Sequence, residues 1–276
     1  MLTKFLDPKN EIAFKRVFGT EKNKDILISF LKDILDSQDI GEIKDVTLIP
    51  SAQMPAMVSH KQSLVDVLCQ DHKGLQYFVE MQVVDHEPYN IYSYATHPFV
   101  KKNYEDFQRV IILTITNFVM FPQKSAFRSE HVAVDRVTYE KDLNSTAWTF
   151  IELPKFTKKI EELTSISEKW YYYLKHAPET TPEVHTQLIE NSPVLQRAYQ
   201  ELEASSWSKD DLATYEQIKK RDNFNAFVLR DHFEKGLVQG KLAVATHMLH
   251  KLHLDVEVVQ QATGLSQQTI AKLIQK

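Results

Sequence analysis

SLVDVLCQDHKGLQYFVEMQVV, residues 63–84, decides the fold of this chain. Two apolar, β-branched runs flank a four-residue stretch, Asp71-His72-Lys73-Gly74, that suits a type I turn with Asp first and Gly last. A three-residue loop of His72, Lys73 and Gly74, with the glycine left-handed, makes Asp71 and Leu75 opposite neighbours. Counting outward from that pair, Asp66 directly faces Glu80 on the same side of the sheet, because side chains alternate along a strand. Gln82 shares the face of Glu80, whereas Val65, Val67, Cys69, Val79 and Met81 point the other way. Cβ atoms of directly opposed residues stand about 4.5–5.5 Å apart.

Two carboxylates that close, on strands otherwise apolar enough to be buried, repel unless a proton or a divalent cation lies between them. Ligands that are all oxygen suit a hard cation, so a Mg²⁺ or Mn²⁺ site is one reading of the pair. Half-exposed strand residues with ordinary partners are the other, and spacing alone weighs the two about equally.

Around the hairpin, the 276 residues are 43% hydrophobic and 25% charged, as in an ordinary globular protein long enough to bury a sizeable core. Asp7-Pro8 reads as a cap and first position of a helix through Ile12, Phe14 and Val17. A second helix, roughly 23–35, repeats apolar residues every three or four positions. Strands are expected near 46–49, 109–118, 130–139 and 146–153, and a helix between about Tyr89 and Tyr104. Beyond Pro154 the pattern is helical, which gives an α/β core with an all-helical C-terminal half.

The net charge of −4 and pI near 6.3 offer no global attraction for nucleic acid. Lysines and arginines nevertheless cluster in the first 32 residues and again at Lys155, Lys158 and Lys159. A single cysteine, Cys69, excludes an internal disulfide and a multi-cysteine zinc site. Neither a membrane-spanning run nor an N-terminal secretion signal is evident, so a cytoplasmic setting without membrane association is expected. Phosphate-binding glycine loops, HExxH and a nucleophile elbow are missing from the sequence.

Asp66 followed by Glu80-x-Gln82 within FVEMQVV resembles the PD-(D/E)xK nuclease superfamily. It resembles most the bacterial recombination-promoting nuclease/putative transposase group, in which Gln stands where Lys is usual. DPKNEIAFKRVFG (7–19), FLKDIL (30–35), TFIELPKF (149–156) and ATGLSQQTIAKL (262–273) resemble further segments of that group, in the same order. The resemblance implies an α/β, restriction-endonuclease-like core with a mixed sheet flanked by helices over residues 1–153. A helical region at 154–235 and a C-terminal helical tail at 236–276 would follow.

It implies a metal-dependent DNA endonuclease linked to recombination or mobile elements, with Mg²⁺ or Mn²⁺ as its cofactor. Asp66, Glu80 and the carbonyl of Met81 would hold the ion. Gln82 would orient water or a phosphate oxygen, since it can neither carry charge nor act as a base. Glu11 and Lys15, four apart on the first helix, would serve as a supporting acid and a phosphate contact. A surface ion pair is the other account of them. Where the group often has Arg four residues before a Tyr, this chain has Asn90 before Tyr94. That departure favours the alternative of a catalytically degenerate fold that binds DNA or a protein.

Trp170 with Tyr171, Tyr172 and Tyr173 reads as core rather than a base-stacking platform, and His247, His250 and His253 as surface residues. The tail VEVVQQATGLSQQTIAKL has the length of a helix-turn-helix, yet carries only Lys272 as a cation before its end. Packing or homo-oligomerisation through the C-terminal helices is the expected role, with Gly236 and Gly240 allowing close helix approach.

Overall fold

The computed structural model describes residues 3–35, 40–49, 66–84, 109–142 and 146–274. The loop expected at 50–62, the helix expected near 89–104, and Asn90 and Tyr94 lie outside the described residues.

Six strands form one sheet in the order β1-β2-β3-β4-β6-β5. They are β1 (Val46–Leu48), β2 (Val67–Asp71), β3 (Gln76–Gln82), β4 (Val110–Thr116), β5 (Arg128–Val132) and β6 (Thr146–Glu152). The first three are antiparallel neighbours, β4 runs parallel to both β3 and β6, and β5 closes the edge antiparallel to β6. The central strands are apolar on both faces, as parallel strands covered on both sides require.

One sheet face, carrying Val67, Cys69, Tyr77, Val79, Ile111, Leu113, Ile115 and Ile151, belongs to the main core. The same core takes in α1 (Glu11–Phe18), α2 (Lys24–Leu35), α3 (Ile166–His176) and α5 (Pro193–Glu201), with α4 (Pro182–Ile189) beside them. The opposite face holds a second, small cluster of Leu68, Phe78 and Ile112. Trp170, Tyr171 and Tyr173 are buried, and the indole N–H of Trp170 donates to Asp33 Oδ2 at 2.8 Å. Three of the four rings are therefore core, and Tyr172 is partly buried against it.

Three local expectations are corrected. Asp7 does not cap α1. Asp7-Pro8 forms a turn one step earlier, and the Asn10 side chain caps by accepting from the Ile12 amide at 3.2 Å. β5 ends at Val132 rather than near residue 139, because Asp135 Oδ1 accepts from the Val137 and Thr138 amides and turns the chain. Tyr139 then takes a left-handed φ of 59°. Finally, the helix α6 (Lys209–His250) continues through Gly236 instead of starting anew there.

The chain divides into two compact units, Met1–Lys220 and Arg221–Lys276, with α6 contributing to both. The second unit has its own small core, in which Ala245 of α6 meets Val259 of α7 (Val256–Thr263) and Ile270 of α8 (Gln267–Ile274). Gly264 ends α7 in the left-handed conformation, φ 66°, that lets the next helix start within a few residues. A Cβ on Gly236 or Gly240 would meet nothing within 4 Å, so among the described residues no helix uses their smallness. No described helix is long and apolar enough to cross a membrane.

Candidate active site

The hairpin turn sets the site. The Gly74 amide donates to the Asp71 carbonyl at 3.0 Å, Gly74 sits at φ 87°, and the Asp71 amide donates to the Leu75 carbonyl at 2.9 Å. Asp71 Oδ1 also accepts from the Lys73 and Leu75 amides, pinning the loop from within. Val67 therefore pairs with Val79 and Leu68 with Phe78, the register that the turn chemistry demands. One step further out, Asp66 arrives beside Glu80.

Each acid is held by the other's strand. The Asp66 amide donates to Glu80 Oε2 at 3.2 Å, and the Met81 amide donates to Asp66 Oδ2 at 2.9 Å. Gln82 Nε2 donates to Glu80 Oε1 at 2.6 Å. From α1, Lys15 Nζ lies 2.9 Å from Glu11 Oε1 and 3.8 Å from Asp66 Oδ1. The structure thus brings Asp66, Glu80, Gln82, Glu11 and Lys15 together, and the Glu11–Lys15 ion pair coexists with the approach of Lys15 to Asp66. Met81 sends its side chain into the core while its backbone lies between Glu80 and Gln82.

Burial dominates the electrostatics. The Asp66 side chain is only 9% exposed, and desolvation pushes its pKa up to about 6, against the opposing pull of the Met81 amide and Lys15. Glu80 is raised well above the usual carboxylate range, first by burial and then by the Asp66 charge. The site therefore keeps a proton on the pair at mild pH, or takes a cation in its place. Among the described residues no group of three His, Cys, Asp or Glu is arranged to hold a metal. The two acids, with backbone or solvent oxygens, form the available donor set. It contains only oxygen, which fits a hard divalent ion.

Two features escaped the sequence. Glu152, at the end of β6, is buried, and its Oε1 accepts from the amides of Met120 and Phe121 at 2.7 and 3.0 Å. Lys155 Nζ lies 2.7 Å from Glu152 Oε2 and donates to the Phe121 carbonyl. This clamp fixes the loop after β4, whose Asn117 amide donates to the Gln82 carbonyl. An acid closing an otherwise apolar strand was the available signal. The second concerns the N-terminal cations, expected as a basic surface. Lys9 pairs with Asp7, Arg16 and Lys22 with Glu201, and Lys24 with Glu21, so much of that charge is internally compensated. Cys69 is buried, which pushes its thiol up to about 12 and makes it a packing residue.

A mixed sheet flanked by helices, carrying paired acids on one hairpin, is the PD-(D/E)xK α/β fold with a helical C-terminal region added. The family model for PD-(D/E)XK nuclease family transposases matches residues 8–230, and the chain belongs to that family. No curated protein and no solved structure matches the chain. Membership supports a nuclease-like role connected with recombination or mobile elements.

Proposed function

We propose that the protein is a divalent-metal-dependent endodeoxyribonuclease whose centre is the Asp66–Glu80 pair. The observation that carries this is a pair of adjacent, partly buried carboxylates, both shifted toward protonation by desolvation, beside Gln82 and Lys15. A buried acid pair costs stability unless a cation compensates it, and such costs concentrate at functional sites.

Asp66, Glu80 and the Met81 carbonyl would hold Mg²⁺ or Mn²⁺. When bound, the ion supplies activation of water and neutralisation of the charge that develops on phosphorus. Gln82 keeps Glu80 oriented through its amide and presents the remainder of that amide to water or a phosphate oxygen. Lys15 brings the positive charge that Gln82 lacks, and Glu11 holds Lys15 in place. DNA is the substrate, and no other cofactor is required.

Self-association is assigned to the second unit. Leu229, Phe233, Leu237 and Val244 are exposed and recur along α6 at spacings that keep them on one helix face. A second copy of the chain would bury them.

Purified protein incubated with supercoiled plasmid and Mg²⁺, Mn²⁺ or EDTA tests the assignment. Metal-dependent nicking abolished by both Asp66→Ala and Glu80→Ala is expected. Absence of cleavage in either metal would leave a degenerate fold that binds without cutting. Cleavage surviving both substitutions would place the centre elsewhere.

A further inference from the structure

The sheet face that carries Glu80 continues outward into an aromatic and basic patch. Glu80, Thr114, Phe150 and Ser129 lie in one lateral row across β3, β4, β6 and β5. With neighbouring strands about 4.8 Å apart, Phe150 stands about 10 Å from Glu80 along the sheet. His131, opposite Trp148, is on this same face one step along β5. The rings of Phe121, His131 and Phe150 form a closed triad, with centroids 5.1–5.4 Å apart. Phe150 is buried beneath, while Phe121 and His131 are half-buried and keep part of their rings at the surface.

Lys124, on the same loop as Phe121, is exposed. Its Nζ lies 5.1 Å from the Phe121 ring centroid and 3.3 Å from His131 Nε2. Burial and the Lys124 charge both lower the His131 pKa, so the imidazole is neutral at pH 7 and can accept from the ammonium. His131 Nε2 also lies 3.1 Å from Ser129 Oγ. The patch is not adrift on a mobile loop, since Glu152 and Lys155 hold the backbone of Phe121 and Gln82 accepts from Asn117 at the loop's start.

We propose that the Phe121–His131 surface with Lys124 is a subsite for an unpaired nucleotide of the DNA strand that enters the Asp66–Glu80 centre, the base stacking on the rings and its phosphate meeting Lys124. It rests on the nuclease assignment for the identity of the ligand. About three nucleotides of a stacked strand, at about 3.4 Å each, reach from Glu80 to the Phe150 end of the patch, and about four reach β5, which carries His131. Within a duplex the bases are stacked on one another and offer no free face. An aromatic platform therefore selects strands that are single, frayed or flipped. A lysine beside the rings adds attraction for phosphate regardless of sequence.

Binding of a short fluorescent deoxyoligonucleotide to the full-length protein, in EDTA so that nothing is cut, tests this. Single strand should bind more tightly than duplex of the same length. Phe121→Ala should weaken single-strand binding by about tenfold, the usual loss of one stacked base, and leave duplex binding unchanged. Phe121→Trp should restore it. Lys124→Gln, at an exposed position, should reduce the salt dependence by about one phosphate contact, and it carries the test if Phe121→Ala does not fold. Equal affinity of wild type and both variants for single strand would overturn the subsite. So would absent single-strand binding, or a Phe121→Trp variant as weak as Phe121→Ala. Loss of plasmid cleavage on its own would instead count against the metal centre, because no cleavage enters this measurement.

Discussion

Replacing Asp66 by Asn should make the metal-free protein more stable, an unusual outcome for a buried polar residue. In the folded chain Asp66 ionises near pH 6, against 3.8 in an unconstrained peptide. The folded state therefore binds more protons than the unfolded state between those values, and metal-free stability falls as pH rises from about 4 to about 6. At pH 7 the full penalty is present. A shift of this size corresponds to about 3 kcal/mol, at about 1.4 kcal/mol per pH unit. Asn removes the ionisation but keeps an oxygen to accept from the Met81 amide. Its cost is the loss of the 3.8 Å approach to Lys15, which is partly exposed and already paired with Glu11. For a unit of this size each kcal/mol moves Tm by about 2–4 °C, so Asp66→Asn should melt roughly 6–12 °C higher at pH 7 in EDTA. The gap should close towards pH 4, and Mn²⁺ should narrow it by stabilising only the wild type. A variant that melts below wild type at pH 7 in EDTA would refute the reasoning, because ionised Asp66 would then be a net stabiliser.

Other outcomes follow from the same contacts. Mn²⁺ affinity should fall steeply as pH is lowered, since the ion displaces the protons held by the raised Glu80 and Asp66 carboxyls, and titration calorimetry at several pH values should record that release. Gln82→Ala, which removes the amide donated to Glu80, should lower cleavage by about 10–100-fold, the usual cost of losing an orienting partner at a metal ligand. Glu152→Gln should destabilise the chain by about 3–5 kcal/mol in urea melts, because it strands the largely buried Lys155 ammonium. Pairing Glu152→Gln with Lys155→Met should recover part of that loss. Phe233→Glu should shift the light-scattering mass towards the monomer and spare the melting of the first unit, if the exposed α6 face joins two chains.

The hairpin was legible because its information is local. Asp71 and Gly74 fix the loop, the loop fixes the register, and the register places Asp66 beside Glu80 without reference to anything distant. Glu11 and Lys15 were legible as a helical pair, but their arrival at Asp66 depends on how α1 docks, which periodicity does not encode. Glu152 was hidden for the same reason: its partners are amides of Met120 and Phe121, thirty-odd residues away and contributed by a loop. Asp7 misled because Asp and Asn cap helices equally well, and the chain uses Asn10 for the helix and Asp7 for the turn before it. The paired N-terminal lysines show the limit of charge counting, since acids such as Glu201 lie far along the sequence. Strand order, with β6 inserted between β4 and β5, likewise needs long-range pairing that alternation alone does not supply.

The most direct test of the central claim is whether the hairpin acids bind a metal. Mn²⁺ titrated into the protein at pH 7, with free ion followed by electron paramagnetic resonance, should be taken up by wild type and lost in Asp66→Ala and Glu80→Ala alike. Uptake unchanged in both variants, or none in wild type, would contradict a metal centre at Asp66 and Glu80 and leave their burial in need of another explanation.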